Sequence, residues 1–284
     1  MRLIITADWH LRKEIPSSRL DLNWLEYQKQ VIDFIINETI KKQAKLCIVG
    51  DIFDKAKDDV EIINLFLNCI ESLDIVYCIA GNHDLLYHNS LDLDKCSFGV
   101  IWKNEKIKPL WELGKAKHYG EEYFVGSNNG IMFLHNFVYK DSKFSFLNRG
   151  FYVDDLIKEY PETKWFFVGD NHEGFIYKKN DKFVINPGCV TIQSLDMIEY
   201  IPKIVFVDTE EDIVDWIFIP DFGQKFIDFE NLKNVNNKIQ SFVELIRNKK
   251  ELSFDFISNM KNEIKKVDDK ELIEYLDNFI KELI

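Results

Sequence analysis

No apolar run in this 284-residue chain approaches the ~18–20 residues a helix needs to cross a bilayer, so no helical membrane span is expected. The opening stretch Met1-Arg2-Leu3-Ile4-Ile5-Thr6 meets a charged residue at Asp8, too early for a secretion signal, and reads as a short strand. Cysteine is scarce and unpatterned. Cys47, Cys69, Cys78, Cys96 and Cys189 are odd in number and none has C-x-x-C spacing, so a reducing, cytoplasmic compartment is the simpler expectation. Cys47 and Cys78 lie in apolar runs, where a thiol acts as a small hydrophobe. An excess of positive charge is also missing. With 36 Lys and Arg against 48 Asp and Glu, the net charge is −12 and the isoelectric point about 5.1. That argues against gripping nucleic acid by bulk electrostatics. It does not exclude a nuclease, because two divalent cations would supply positive charge where phosphate must sit. There is no internal repeat, low-complexity tract or long Gly/Ser linker.

What is present is a core-forming composition, 46% hydrophobic and 14% aromatic, with 30% charged residues as in soluble globular proteins. Short apolar strands are expected at Leu3–Thr6, Lys45–Val49, Asp74–Ala80, Glu122–Gly126, Ile131–Leu134 and Trp165–Val168. Helical spacing marks Trp24–Lys42 and Val60–Leu73. Gly174–Lys178 with Phe183–Ile185, and Lys203–Val207 with Val214–Ile219, read as hairpins. Strands alternating with helices, then strand-rich sequence, predict an α/β layered sandwich over residues 1–220. Beyond Pro220 helical patterns take over, as in Val235, Ile239, Phe242, Val243 and Ile246, and in the amphipathic stretch Glu271–Leu283. Residues 221–284 are therefore expected to be a helical accessory region, with Leu252–Phe256 as an alternative short strand.

Chemistry-bearing residues collect where strands end. The five strand ends run into Asp8-Trp9-His10, Gly50-Asp51-Ile52-Phe53-Asp54, Gly81-Asn82-His83-Asp84, His135-Asn136 and Gly169-Asp170-Asn171-His172. Open α/β sheets build their sites there. In extended chain, Asp8 and His10 point the same way, so a carboxylate and an imidazole can share one cation. Gly50 and Gly81 permit tight turns. Asp51 can bridge two ions through its two oxygens, and Asn82 adds a neutral ligand. Carboxylate, amide and imidazole together suit Mn, Fe, Zn or Co better than Ca or Mg. Each element alone is as easily a turn or a cap. Five in order, holding four of the six histidines, point to a metal site.

With these motifs the chain resembles the calcineurin-like metallophosphoesterases. Within them it is most similar to the nuclease subunits of double-strand-break repair complexes, the SbcD type and the phage recombination endonuclease subunit. Asn186-Pro187-Gly188-Cys189 and Val207-Asp208-Thr209 add to that likeness, which covers roughly residues 1–220. The resemblance implies a four-layer α/β/β/α sandwich and a cytoplasmic setting, the host cytoplasm if the protein is phage-encoded. It implies two divalent ions, Mn²⁺ first, with Fe²⁺, Zn²⁺, Co²⁺ or Mg²⁺ as alternatives. One ion would be held by Asp8, His10, Asp51 and His172, the other by Asp51, Asn82, His135 and Asp170. The family usually has a histidine where this chain has Asp170, and a turn residue is the other reading of that position. Many cellular relatives have a histidine where this chain has Asp54, and a glycine is common where it has Arg12. Two ions ~3.5–4 Å apart activate a water and neutralise charge on the phosphoryl group. His83 would stabilise that charge or protonate the leaving oxygen, with Asp84 orienting its ring.

The resemblance further implies a manganese-dependent 3′-to-5′ exonuclease and single-strand endonuclease acting on DNA with an SbcC-type coiled-coil ATPase. Glu271–Leu283 is the expected docking element, and a homodimer is an open alternative. The chain's short tail and acidic charge favour a second reading, a stand-alone phosphodiesterase or phosphatase. A non-catalytic scaffold is a third, which Asn82 and His83 count against. Asp54, Arg12, Lys13 and His88 are candidate substrate contacts, with a solvated loop as the alternative for the basic ones. Arg19, Lys140, Lys143 and Arg149 could meet DNA backbone. Trp9 is expected to pack beneath the site, and His118, outside every motif, to be structural or on the surface.

Overall fold

The protein is described by a computed structural model covering residues 1–16, 18–20, 23–141, 150–194, 197 and 199–224. These belong to a unit spanning Met1–Phe226. The helical stretches expected after Pro220, the strand alternative at 252–256, Lys143 and Arg149 lie outside the described residues.

In chain order the elements are β1 (Arg2–Thr6), α1 (Trp24–Lys41), β2 (Lys45–Val49), α2 (Val60–Cys69), β3 (Val76–Ile79), α3 (Ser97–Ile101), β4 (Ile107–Pro109), β5 (Lys115–Lys117), β6 (Ile131–His135), β7 (Val138–Tyr139) and β8 (Phe151–Tyr152). There follow α4 (Val153–Glu159), β9 (Trp165–Gly169), β10 (Phe175–Lys179), β11 (Lys182–Asn186), β12 (Lys203–Asp208) and β13 (Ile213–Phe218). One sheet has the order β13-β12-β1-β2-β3-β4, and the second β10-β11-β9-β6-β5. β1, β2, β3 and β4 run parallel, as do β5, β6, β9 and β11.

The central strands β1, β2, β3, β6 and β9 are buried on both faces, and alternation along each sorts its residues between two cores. Leu3, Ile5, Cys47, Val49, Tyr77 and Ile79 meet Phe133, Trp165, Phe167 and Ile185 between the sheets. Ile4, Leu46, Ile48, Val76 and Cys78 face outward onto Val31, Ile32 and Ile35 of α1 and Ile62 and Phe66 of α2. On the far side Met132, Leu134, Phe166 and Val168 pack against Val153 and Leu156 of α4. The result is the four-layer α/β/β/α sandwich that the resemblance implied.

Two local expectations are corrected. Glu122–Gly126 does not form a strand; it keeps a single bridge, Val125 with Ala116, while β4 and β5 form in sequence too short and polar to show period 2. The helix expected to run to Leu73 ends at Cys69 and tightens to a 3₁₀ turn over Ile70–Ser72.

Candidate metal centre

The parallel strands of both sheets end at one edge, and their loops interlock. After β1 and β2 the amides of Asp8, Trp9 and Leu11 donate to Gly50, Asp51 and Ile52, at 3.1, 2.8 and 2.9 Å, and Asp54 N–H returns to Leu11. Asp8 (φ 52°), His10 (44°), Asp51 (52°) and Asp170 (74°) all hold left-handed backbone. Such strain persists only where surrounding structure enforces it, and it gathers at functional sites. Glycine is required twice. A Cβ on Gly50 would lie 2.2 Å from His135 Nδ1, and one on Gly81 2.1 Å from Asp51 Oδ1.

Three clusters result, with donor atoms within 4.8 Å of one another: Asp8, His10 and His172; Asp8, Asp51 and His135; and His10, Asp54 and His83. His10 and His172 face each other through Nε2 at 3.1 Å. His135 Nε2 stands 3.0 Å from Asn82 Oδ1 and 3.3 Å from Asp51 Oδ2. Asp51 Oδ2 is also 3.8 Å from His10 Nε2, so this carboxylate lies between the two groups. Asp170 is in none of the three clusters, and Asp8 accompanies Asp51 and His135 instead. The Asp170 amide donates to both Asp8 oxygens at 3.2 Å.

These residues fit cations. His135 Nδ1–H donates to the Val49 carbonyl at 2.7 Å, so a neutral ring turns a lone pair toward two oxygens. Only positive charge relieves that array. Without an ion the ring itself must carry it: burial alone would lower the His135 pKa, but the Asp51 carboxylate outweighs burial and raises it to about 10. Asp51 is correspondingly held well below the usual range by His135 and His10, against burial. Burial pushes Asp8 up to about 8, against the attraction of His135. His10 is driven down to about 3 by burial and His172 is lowered for the same reason, so both are neutral donors. Nδ1 of His10 is buried without a hydrogen-bond partner. Buried carboxylates beside neutral imidazoles are costly unless metal-coordinated or paired.

His83 occupies the open side. Its ring stands 4.7 Å from that of His10, centroid to centroid, and is exposed. Nδ1–H donates to the Asp54 carbonyl at 2.8 Å, which leaves Nε2 outward. The Asp84 expectation is corrected. Its carboxylate does not orient His83; it is fully buried and accepts from the amides of Gly81 (2.9 Å), Phe53 (2.9 Å) and Ile52 (3.3 Å), tying the loops after β2 and β3 together. The ring nitrogen it was expected to hold is taken by the Asp54 carbonyl.

Among the substrate candidates, Arg12 Nη1 lies 3.4 Å from Asp54 Oδ1 at the rim. Lys13 is drawn instead to Glu61 of α2, at 3.0 Å. Arg19 is buried, its guanidinium over Trp24 and Tyr27 and donating to the Ile192 carbonyl at 3.0 Å, so it does not serve DNA backbone. His88 donates through Nδ1 to the Asn82 carbonyl at 3.0 Å. Trp9 is buried in the core with its ring edge-on to Phe66. His118 is buried and accepts from Ala80 N–H at 2.9 Å, just ahead of Gly81.

Two supports escaped sequence reasoning. Gln28 exchanges two hydrogen bonds with the Arg12 backbone, at 3.0 and 2.8 Å; a buried amide on the apolar face of α1 was its only signal. Gln193 donates to the His10 carbonyl at 3.1 Å, and nothing in its neighbourhood foretold this.

The calcineurin-like phosphoesterase family matches residues 1–192, and the chain belongs to it. Members bind divalent metals, in keeping with the clusters above. No curated protein matches the chain in sequence. Among solved structures, an archaeal phosphodiesterase is 18% identical, with 77% of this chain and 99% of that one covered at TM-score 0.43. Zinc-bound Vps29 from Entamoeba histolytica is 10% identical, covering 79% and 96%, at 0.41. A protein of Streptococcus pneumoniae TIGR4 described as a predicted phosphoesterase is 12% identical, covering 80% and 96%, at 0.34. Likenesses this distant carry no argument about function. Among the described residues no helix is long and apolar enough to cross a membrane.

Proposed function

We propose that the protein is a two-metal DNA nuclease of the SbcD and phage recombination endonuclease type, cutting phosphodiesters in DNA repair or recombination beside an SbcC-type coiled-coil ATPase. The observation that carries the hydrolytic part is His83, exposed over the ligand clusters with Nδ1 fixed and Nε2 open. The nucleic-acid part rests on the motif likeness, above all Gly50-Asp51-Ile52-Phe53-Asp54 and Gly81-Asn82-His83-Asp84-Leu85. One cation would be held by Asp8, His10 and His172, and the other by Asn82 and His135, with Asp51 between them. Bound there, the pair supplies an activated water and neutralises charge on the phosphoryl group. Burial opposes protonation of His83, but Asp51 and the Asp54 carbonyl outweigh it and raise the ring's pKa, so it can hold a proton at Nε2 for the leaving oxygen. Arg12 and Asp54 form the rim over which a strand would enter. The docking role proposed for Glu271–Leu283 would serve the ATPase partner.

Incubation with Mn²⁺ and labelled single strand, duplex and a chromogenic phosphodiester tests this reading; degradation of DNA is expected. His83→Ala should lower turnover at least ~100-fold while manganese still binds. A variant cutting at the normal rate would remove His83 from the chemistry. The net charge of −12 favours a small-phosphodiester hydrolase as the second reading, and hydrolysis of the chromogenic ester alone would establish it.

A further inference from the structure

Beside the clusters, residues 86–88 form one turn in which two consecutive non-glycine residues, Tyr87 and His88, both hold φ of 54°. Left-handed backbone at both is strained, and particular contacts hold it. His88 Nδ1–H donates to the carbonyl of Asn82, whose side chain reaches His135. The His88 ring meets Tyr119 edge-on at 6.0 Å, and Tyr119 in turn meets the ring of His135 at 6.2 Å. Gly120 (φ 78°) closes from the other side; a Cβ there would stand 2.7 Å from the His88 carbonyl oxygen. Tyr119 is itself fixed to the end of β3, its amide donating to the Ala80 carbonyl at 2.9 Å. One effect of this strained, buttressed turn is that Tyr87 stands 89% exposed next to the centre. A second is that the His88 ring is held through Nδ1–H, with Nε2 open outward.

We propose that Tyr87 and His88 form a nucleotide subsite beside the metal centre, Tyr87 stacking an unpaired base and His88 holding the turn that presents it. The inference rests on the nuclease reading and adds to it the residues that would hold an unpaired nucleotide. The chemistry matches the exposed side chain: a phenol face stacks any base regardless of sequence. In a chain this acidic, stacking supplies affinity that surface charge does not.

The test uses the manganese-loaded full chain carrying His83→Ala, which binds without cutting. Fluorescence anisotropy is read with a ten-thymidine oligonucleotide and with an abasic strand of the same length. Tyr87→Ala should raise Kd for the thymidine strand about tenfold and leave the abasic strand unchanged, because only bases stack. His88→Ala should weaken the thymidine strand about threefold and leave the abasic strand unchanged, through loss of the contacts that hold the Tyr87 turn. Equal effects of Tyr87→Ala on the two strands, or none, would overturn the subsite. Tyr87 is exposed, so its replacement does not threaten folding. Failure of the nuclease reading is seen separately, as absence of oligonucleotide cleavage by the protein with His83 intact; in that case the subsite falls with it.

Discussion

His135 and Asp8 bind protons that an incoming cation must displace. At pH 7 both are protonated in chelated protein, since their pKa values stand at about 10 and about 8. Manganese binding at pH 7 should therefore release about two protons, measured by calorimetry in buffers of different ionisation enthalpy. Release of none would mean that neither residue is a ligand. The stability of chelated protein follows with a definite sign. Asp8 is raised from 3.8, so its contribution declines as pH climbs toward about 8; His135, raised from 6.5, loses its contribution as pH climbs through about 10. His10, lowered from 6.5 to about 3, acts in the opposite direction only below pH 6.5. The melting temperature should thus fall between pH 7 and 9 in chelator, and manganese should restore it most at the alkaline end. Asp84 makes a separate case. Replacing it with Ala strips three buried amides of their acceptor and should cost about 3 kcal/mol in urea unfolding, together with activity. A variant with lost activity and unchanged stability would return Asp84 to the role of orienting His83.

At the scale of elements, the centre depends on how closely one loop can approach the next. Gly81 follows β3 and has no Cβ where the Asp51 amide and carboxylate pass; an added methyl would lie 2.5 Å from that nitrogen. Backbone cannot yield as a flexible side chain can. Gly81→Ala should therefore weaken manganese binding about 10–100-fold with the circular dichroism spectrum preserved. Unchanged affinity would mean that Asp51 is not held by this contact. Much of this was legible beforehand, because β1, β2, β3, β6 and β9 are apolar runs that stop at Asp, Gly or His. β4 and β5 were not, since three-residue strands carry too few side chains to reveal a period, and pairing with β3 and β6 decides them.

For the whole molecule, the site stands on the core beneath it. Phe66 of α2 lies fully buried against the rings of Trp9 and Phe53, each adjacent to a site residue. Phe66→Ala should destabilise the fold by about 3–5 kcal/mol, measured by denaturant unfolding. Because the loss is remote from the ligands, saturating manganese should recover part of it, since a ligand that binds only folded protein stabilises by about 2.7 kcal/mol at a hundredfold excess over Kd. The amino-acid sequence by itself determined the apolar strands β1, β2, β3, β6 and β9, the helices α1 and α2 and the identity of the ligand candidates, because period and residue type are local properties. Tertiary structure alone decided that Asp8 stands with Asp51 and His135, that Asp84 ties the loops after β2 and β3 together, and that Arg19 is buried over Trp24 and Tyr27. Those outcomes depend on distances between segments from tens to more than 160 residues apart along the chain, which no local pattern encodes.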